Sequence, residues 1–219
     1  VREDPVLIIG APRSGTSVTA AILQRCGLWL GETGRGNRDN PKGFFENKRI
    51  RQKNKAVLHA GGYDAAGVQP LPPWNWIGNT AHLRETVLIE LGFQGVKPDQ
   101  PWGFKDPKLL LTWATWLSAW PKARIVLVRR DRESVVRSCA RASFYSGWAR
   151  RGMEWNAWVA DQERRIELIK RTSPYVAELW PGRLALADGW HAFRDAVEAL
   201  GLEWKLGAQD TFDAEIWNR

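Results

Sequence analysis

The chain is predicted to be an α/β protein, a three-layer fold in which a parallel β-sheet is flanked by helices. Two stretches carry this prediction. Residues 6–9 (VLII) and 123–128 (ARIVLV) are short aliphatic runs, the pattern of strands buried on both faces. Each leads through a turn into a helical sequence, and strands alternating with helices close by right-handed crossovers into a parallel sheet. A length of 219 residues suits one such domain, spanning 1–219.

The first strand, loop and helix form the most informative stretch. Gly10 and Pro12 end the strand, Gly15 lets the backbone turn, and residues 16–24 (TSVTAAILQ) read as a helix entering a core. A helix N-terminus behind a glycine-bounded loop is an anion socket, because its N–H groups and its dipole both favour negative charge. The spacing of Gly10 and Gly15, with Ser17 as hydroxyl, has the outline of a Walker A loop. Thr16 replaces the Walker lysine, however, and a cation sits inside the loop as Arg13. An NTPase needs that lysine on its phosphates, so a different phosphorylated ligand is expected. A turn with no ligand is the plainer alternative.

In order after that helix, residues 26–31 (CGLWLG) read as a short second strand. Residues 34–43 are a polar loop that delivers Phe44-Phe45-Glu46-Asn47 to a basic helix over 48–59. From the residues alone, Glu46 is either a carboxylate offsetting a helix dipole or a general base. Residues 61–76 form a long connection carrying Trp74 and Trp76, either a substrate rim or two tryptophans folded back on the core. Residues 79–91 read as a helix with Asn79 as N-cap. Residues 102–105 (WGFK) read as a buried strand ending in Lys105. Ligands of parallel sheets bind beyond the carboxyl ends of strands, so Lys105 is either a site cation or a surface lysine. Residues 109–120 make a Leu- and Trp-rich core helix. The strand 123–128 is followed by Arg129-Arg130-Asp131-Arg132 and a helix carrying Ser138. A loop over 144–152, an amphipathic helix over 153–171, a fourth strand over 183–187 (RLALA) and a helix over 190–200 complete the pattern. The tail after Gly207 is irregular.

Several of these residues resemble one family. Pro12-Arg13-Ser14-Gly15-Thr16-Ser17 looks like the 5′-phosphosulfate loop of sulfotransferases that use 3′-phosphoadenosine 5′-phosphosulfate (PAPS). Arg130 and Ser138, eight residues apart, resemble that family's 3′-phosphate site, with Arg129 and Arg132 as competing candidates for the phosphate. The stretch from Asn40-Pro41 to Glu46 is similar to one whose glutamate faces the acceptor. Lys105-Asp106-Pro107-Lys108 is similar to a Lys-Asp-Pro-Arg stretch, with Lys108 where the arginine stands. The resemblance implies a P-loop NTPase-like sulfotransferase fold and in-line transfer of a sulfuryl group from PAPS to an acceptor hydroxyl or amine. Adenosine 3′,5′-bisphosphate (PAP) would be the product, with no metal. It implies Glu46, Lys105 and Arg13 as catalytic residues, and Arg13, Ser14, Gly15, Thr16, Ser17, Arg130 and Ser138 as PAPS-binding residues. The basic, glycine-containing C-terminal segment that many members fold over the nucleotide is not recognisable here.

Charge and composition bound the partners. A net charge of +8, from 32 Lys and Arg against 24 Asp and Glu, implies an anionic partner. The basic residues are scattered and no nucleic-acid motif accompanies them, so a polyanionic small ligand and a small-molecule or glycan acceptor are expected, not nucleic acid. Fourteen tryptophans are an excess for this length, and those in loops suit flat groups or sugars. No run approaches the roughly 20 apolar residues of a membrane span, and a cytoplasmic location is expected, although a chain beginning at Val1 is compatible with a removed upstream segment. Cys26 and Cys139 are expected to be reduced and buried. His59, His82 and His191 form no ligand-like cluster. A P-loop kinase with an unusual loop is the rival enzyme, and a non-catalytic module for nucleic acid or polyanionic glycan is the rival of another class. The sequence carries no indication of oligomeric state.

Overall fold

The computed structural model describes residues 4–142, 154–186 and 188–217. Within them, β1 (Val6–Gly10), β2 (Gly103–Lys105), β3 (Arg124–Val128) and β4 (Ala177–Leu179) form one sheet in the order β2-β1-β3-β4, every pairing parallel. Successive side chains of a strand point to opposite faces. Leu7, Ile9, Phe104, Ile125 and Leu127 therefore enter one apolar core, while Val6, Ile8, Val126 and Val128 enter another. The first core is covered by α2 (Lys48–Ala60), α3 (Leu83–Phe93), α4 (Leu109–Ala119), α5 (Arg132–Arg141) and α6 (Trp155–Thr172). The second is covered by α1 (Thr16–Arg25) and α7 (His191–Ala199). This is the three-layer arrangement expected from the alternation of strands and helices.

Local signals place the helix starts nearest the site. Asn47 caps α2, its side-chain oxygen accepting from the N–H groups of Arg49 and Ile50 at 3.2 Å each. Asp131 caps α5 by accepting from Ser134 N–H at 2.8 Å. Caps of this kind contribute about 1 kcal/mol each.

Three expectations are corrected. The fourth strand is not 183–187. Pro181 opens a 3₁₀ turn (Pro181–Ala185), and the edge of the sheet is taken upstream by β4, with Val176 N–H donating to Ile125 O at 2.7 Å. An edge strand pairs on one side only and keeps polar, half-buried residues such as Glu178, so its hydrophobic signal is weak. Residues 26–31 form no strand of the sheet; they contribute a single parallel bridge, Trp29 to Trp102. The helix expected from Asn79 begins at Leu83, because His82 sits in the left-handed region (φ 64°) and Asn79 instead accepts from Ala81 N–H. The loop expected over 144–152 and residue 153, the first of the expected helix, lie outside the described residues; Glu154 is extended, so the helix begins at Trp155.

Both cysteines are buried, unbridged thiols. No helix among the described residues is long and apolar enough to cross a membrane. Four of the tryptophans and one phenylalanine explain part of the aromatic excess. Phe104 stacks on Trp116 (5.0 Å between centroids), Trp116 stacks on Trp120 (5.1 Å), and Trp102 meets Trp120 edge-on (5.9 Å). Trp113 is buried beside them and donates to Trp74 O at 2.9 Å. This column joins β2, the strand that ends in Lys105, to α4. Trp116→Ala should lower unfolding stability by about 3–5 kcal/mol in denaturant titrations; a loss below about 1 kcal/mol would contradict this packing.

Candidate active site

Close packing sets the loop after β1. A Cβ on Gly10 would lie 2.6 Å from Val128 O and 2.8 Å from Ser14 Oγ, so only glycine lets β1 and β3 end together. Ser14 folds the turn back on itself, its N–H and its hydroxyl both donating to Ala11 O (3.1 and 2.7 Å). Arg13 takes a left-handed conformation (φ 68°), and Gly15 (φ 98°) precedes α1, which starts with no side-chain cap. The first-turn N–H groups of α1 are thus left to whatever the loop encloses.

β1 and β3 pair in register from Val6 opposite Arg124 to Gly10 opposite Val128, so the two basic corners lie side by side. Arg13 Nε donates to Ser138 Oγ at 2.9 Å, across 125 residues of sequence. Arg130 Nη1 donates to Arg13 O at 3.2 Å, and its guanidinium lies 4.3 Å from the ring centre of Trp217. Burial lowers the pKa of Arg130, Asp131 opposes this, and the nearby charges of Arg13, Arg137 and Arg141 lower it further; the net shift is downward. Such a crowd of cations is stabilised by an anion. The neighbouring arginines turn away. Arg129 pairs with Glu167 (2.6 Å) and Glu178 (3.8 Å), and Arg132 pairs with Glu163. Of the three competing arginines, Arg130 alone lines the cleft.

A second cluster lies where β1 and β2 end. Lys105, 2% exposed and so no surface lysine, donates to Glu46 Oε1 at 2.9 Å, to Phe44 O at 3.0 Å and to Ser17 Oγ at 3.3 Å. Glu46 is 8% exposed, and its other oxygen meets Arg51 Nη1 at 3.3 Å. Its carboxylate engages these side chains, while the first-turn N–H groups of α2 are capped by Asn47. Phe45, which sets its direction, is held at φ 55°. Asn40 Nδ2 donates to Ser17 Oγ at 3.0 Å. Below the cluster, Asp106 is fully buried against Asn54 Nδ2 (3.1 Å) and Lys108 (3.0 Å to both N–H and Nζ). Burial pushes its carboxyl up, but Lys108 and these hydrogen bonds outweigh it and hold the pKa below the ordinary value.

One cavity of about 500 Å³ joins the two clusters, lined by Arg13, Gly15, Thr16, Ser17, Glu46, Lys105, Arg130 and Ser138 among others. Ser14 is the one expected site residue whose side chain does not line it. Residues without an expected role do line it: Asn40, Arg51, and Phe212 and Trp217 of the tail. The tail forms a 3₁₀ turn (Leu206–Thr211) and α8 (Ala214–Trp217), with Trp217 against Gly15 and Arg130. Asn40 and Arg51 could have been flagged by their spacing from Glu46; nothing local marks Trp217, which is placed by contacts with distant residues. From the tryptophan-bearing connection, Ala66 and Gly67 reach this cavity, while Trp74 faces a separate one and donates to Asp161 at 2.7 Å.

No curated protein matches the chain. The solved sulfotransferase domain of the olefin synthase from Synechococcus PCC 7002 aligns over 99% of this chain and 79% of its own, at a TM-score of 0.53 and 13% identity, which shows a shared fold. Sulfotransferase STF1 from Mycobacterium tuberculosis H37Rv aligns over 100% of this chain and 76% of its own, with a TM-score of 0.44 and 16% identity. The likeness to the Synechococcus domain makes the P-loop-like sulfotransferase fold the fold of this chain, and neither the kinase nor the binding-module reading is favoured. The model of the Sulfotransferase family matches residues 5–205, and the chain belongs to that family.

Proposed function

We propose that the protein transfers a sulfuryl group from PAPS to an acceptor hydroxyl. The observation that carries this reading is the meeting of Arg13, Arg130 and Ser138 at one end of a cavity whose other end holds Ser17, Lys105 and Glu46. A donor with an anion at each end is complementary to such a cleft. Arg130 and Ser138 would hold the 3′-phosphate. Gly15, Thr16, Ser17 and the N–H groups at the loop and the start of α1 would hold the phosphosulfate, with Ser14 shaping the turn that presents them. Arg13 would exchange its bond to Ser138 for donor oxygens.

In the transfer, the acceptor oxygen bonds to sulfur as the sulfur–oxygen bridge to the 5′-phosphate breaks. The bonding pair leaves with PAP, and the acceptor proton passes to Glu46. Lys105 stabilises charge growing on the bridging oxygen, and in turning to it leaves Glu46 Oε1 open to the acceptor hydroxyl. A cation about 4 Å away at an effective dielectric of about 20 is worth about 4 kcal/mol, or roughly a thousandfold in rate. These residues supply charge and a base themselves, so the reading assigns no step to a metal.

Three outcomes test it. Arg13→Ala should abolish PAP binding in calorimetry, and retained affinity would remove Arg13 from the donor site. Glu46→Ala should keep PAP affinity and lose about 10²–10⁴-fold in labelled-sulfate transfer; full activity would remove the base assignment. Ser138→Phe should weaken PAP far more than adenosine 5′-phosphate, whereas equal losses would place the 3′-phosphate elsewhere.

A further inference from the structure

The cavity is also lined by residues that sulfuryl transfer does not itself use. Among them are Arg51 and Lys55 of α2 and Lys108 beside α4, with Trp158 and Gln162 of α6. The acids lining the cavity are Glu46, Asp39 and Asp213, and the last two belong to the 34–43 loop and the tail. Arg51 is held by Glu46 and Lys108 by buried Asp106. Lys55 is different. It lies one helical turn, about 6 Å, beyond Arg51 on the same face of α2, is half-buried, and has no hydrogen bond or ion pair among the described residues. Arg51 and Trp158 line the cavity beside it, and each has one buried N–H, Nε and Nε1, with no hydrogen-bond partner among the described residues. A wall that carries Arg51, Lys55 and Lys108, with the Lys55 ammonium unneutralised among the described residues, is complementary to oxygen acceptors with negative charge.

We infer that the acceptor is itself an anion, a hydroxyl compound with a second, negatively charged oxygen group that Lys55 and Arg51 take while its hydroxyl lies at Glu46. The role of Glu46 rests on the sulfotransfer reading; the oxyanion subsite can be measured without it. The apolar face of Trp158 would carry the body of the molecule between its two polar ends.

The test uses three small phenols of similar shape: 4-hydroxyphenylacetate (a carboxylate), 4-hydroxybenzenesulfonate (a sulfonate) and the neutral 4-hydroxyphenylacetamide. Their binding is titrated by ligand-observed NMR against the wild type and Lys55→Gln, with PAP saturating and again without it. At least one anion should bind about tenfold or more tightly than the amide, and Lys55→Gln should shrink that preference to about twofold while leaving PAP affinity unchanged. The tighter of the two anions identifies the class of group recognised. Equal affinity for all three, no detectable binding of any, or a preference that survives both Lys55→Gln and Lys55→Glu overturns the subsite. If PAP fails to bind but the Lys55-dependent preference remains, the donor reading falls and the oxyanion subsite stands.

Discussion

The parallel ladder between β1 and β3 ends with Gly10 directly opposite Val128, and the cleft is built on that register. Two strands ending at the same height carry their following turns to the same place. Arg13 and Arg130 can therefore share a hydrogen bond although 117 residues separate them. The close approach is enforced at Gly10, where any side chain would meet a carbonyl oxygen of the neighbouring strand. A slip of one residue would also exchange the two cores, because it turns every side chain of a strand to the opposite face.

Against this frame, the most demanding feature is the buried charge at the end of β2. Removing Lys105 and Glu46 from water costs several kcal/mol per ion, and their attraction returns this only when geometry and further hydrogen bonds are good. Lys105 meets three oxygens and Glu46 meets two cations, so the pair is satisfied without being isolated. An apolar pair would pack here at no such cost. The support beneath them is of the same kind: Asp106, Asn54 and Lys108 form a buried polar network next to the tryptophan column, fixing the strand end from which Lys105 projects.

Much of this was readable from local patterns. The aliphatic runs of β1 and β3, the left-handed glycine before α1 and the asparagine before α2 act through nearest neighbours, so their signals are in the residues themselves. The choice among Arg129, Arg130 and Arg132 was not readable. Each follows the same strand, and acids on α6 and β4 draw two of them away from the cleft. Nor was the edge strand: β4 is short and half-buried, while the alternating RLALA segment next to it is turned by Pro181. Ser14 had the look of a ligand residue, but its hydroxyl closes the turn.

The amino-acid order alone determined the class of fold and the glycine-bounded turn between β1 and α1, because backbone propensity and short spacings decide them; resemblance to the family pointed to Arg13, to Ser17 and to one of three arginines ahead of Ser138. Tertiary structure alone decided that both corners open into one cavity, that Lys105 and Glu46 are an ion pair, that Trp217 lies on Arg130, and that Lys55 lines the cleft without a counter-ion among the described residues. Those facts depend on sheet order and on packing between residues far apart in the chain, where no local pattern carries the information.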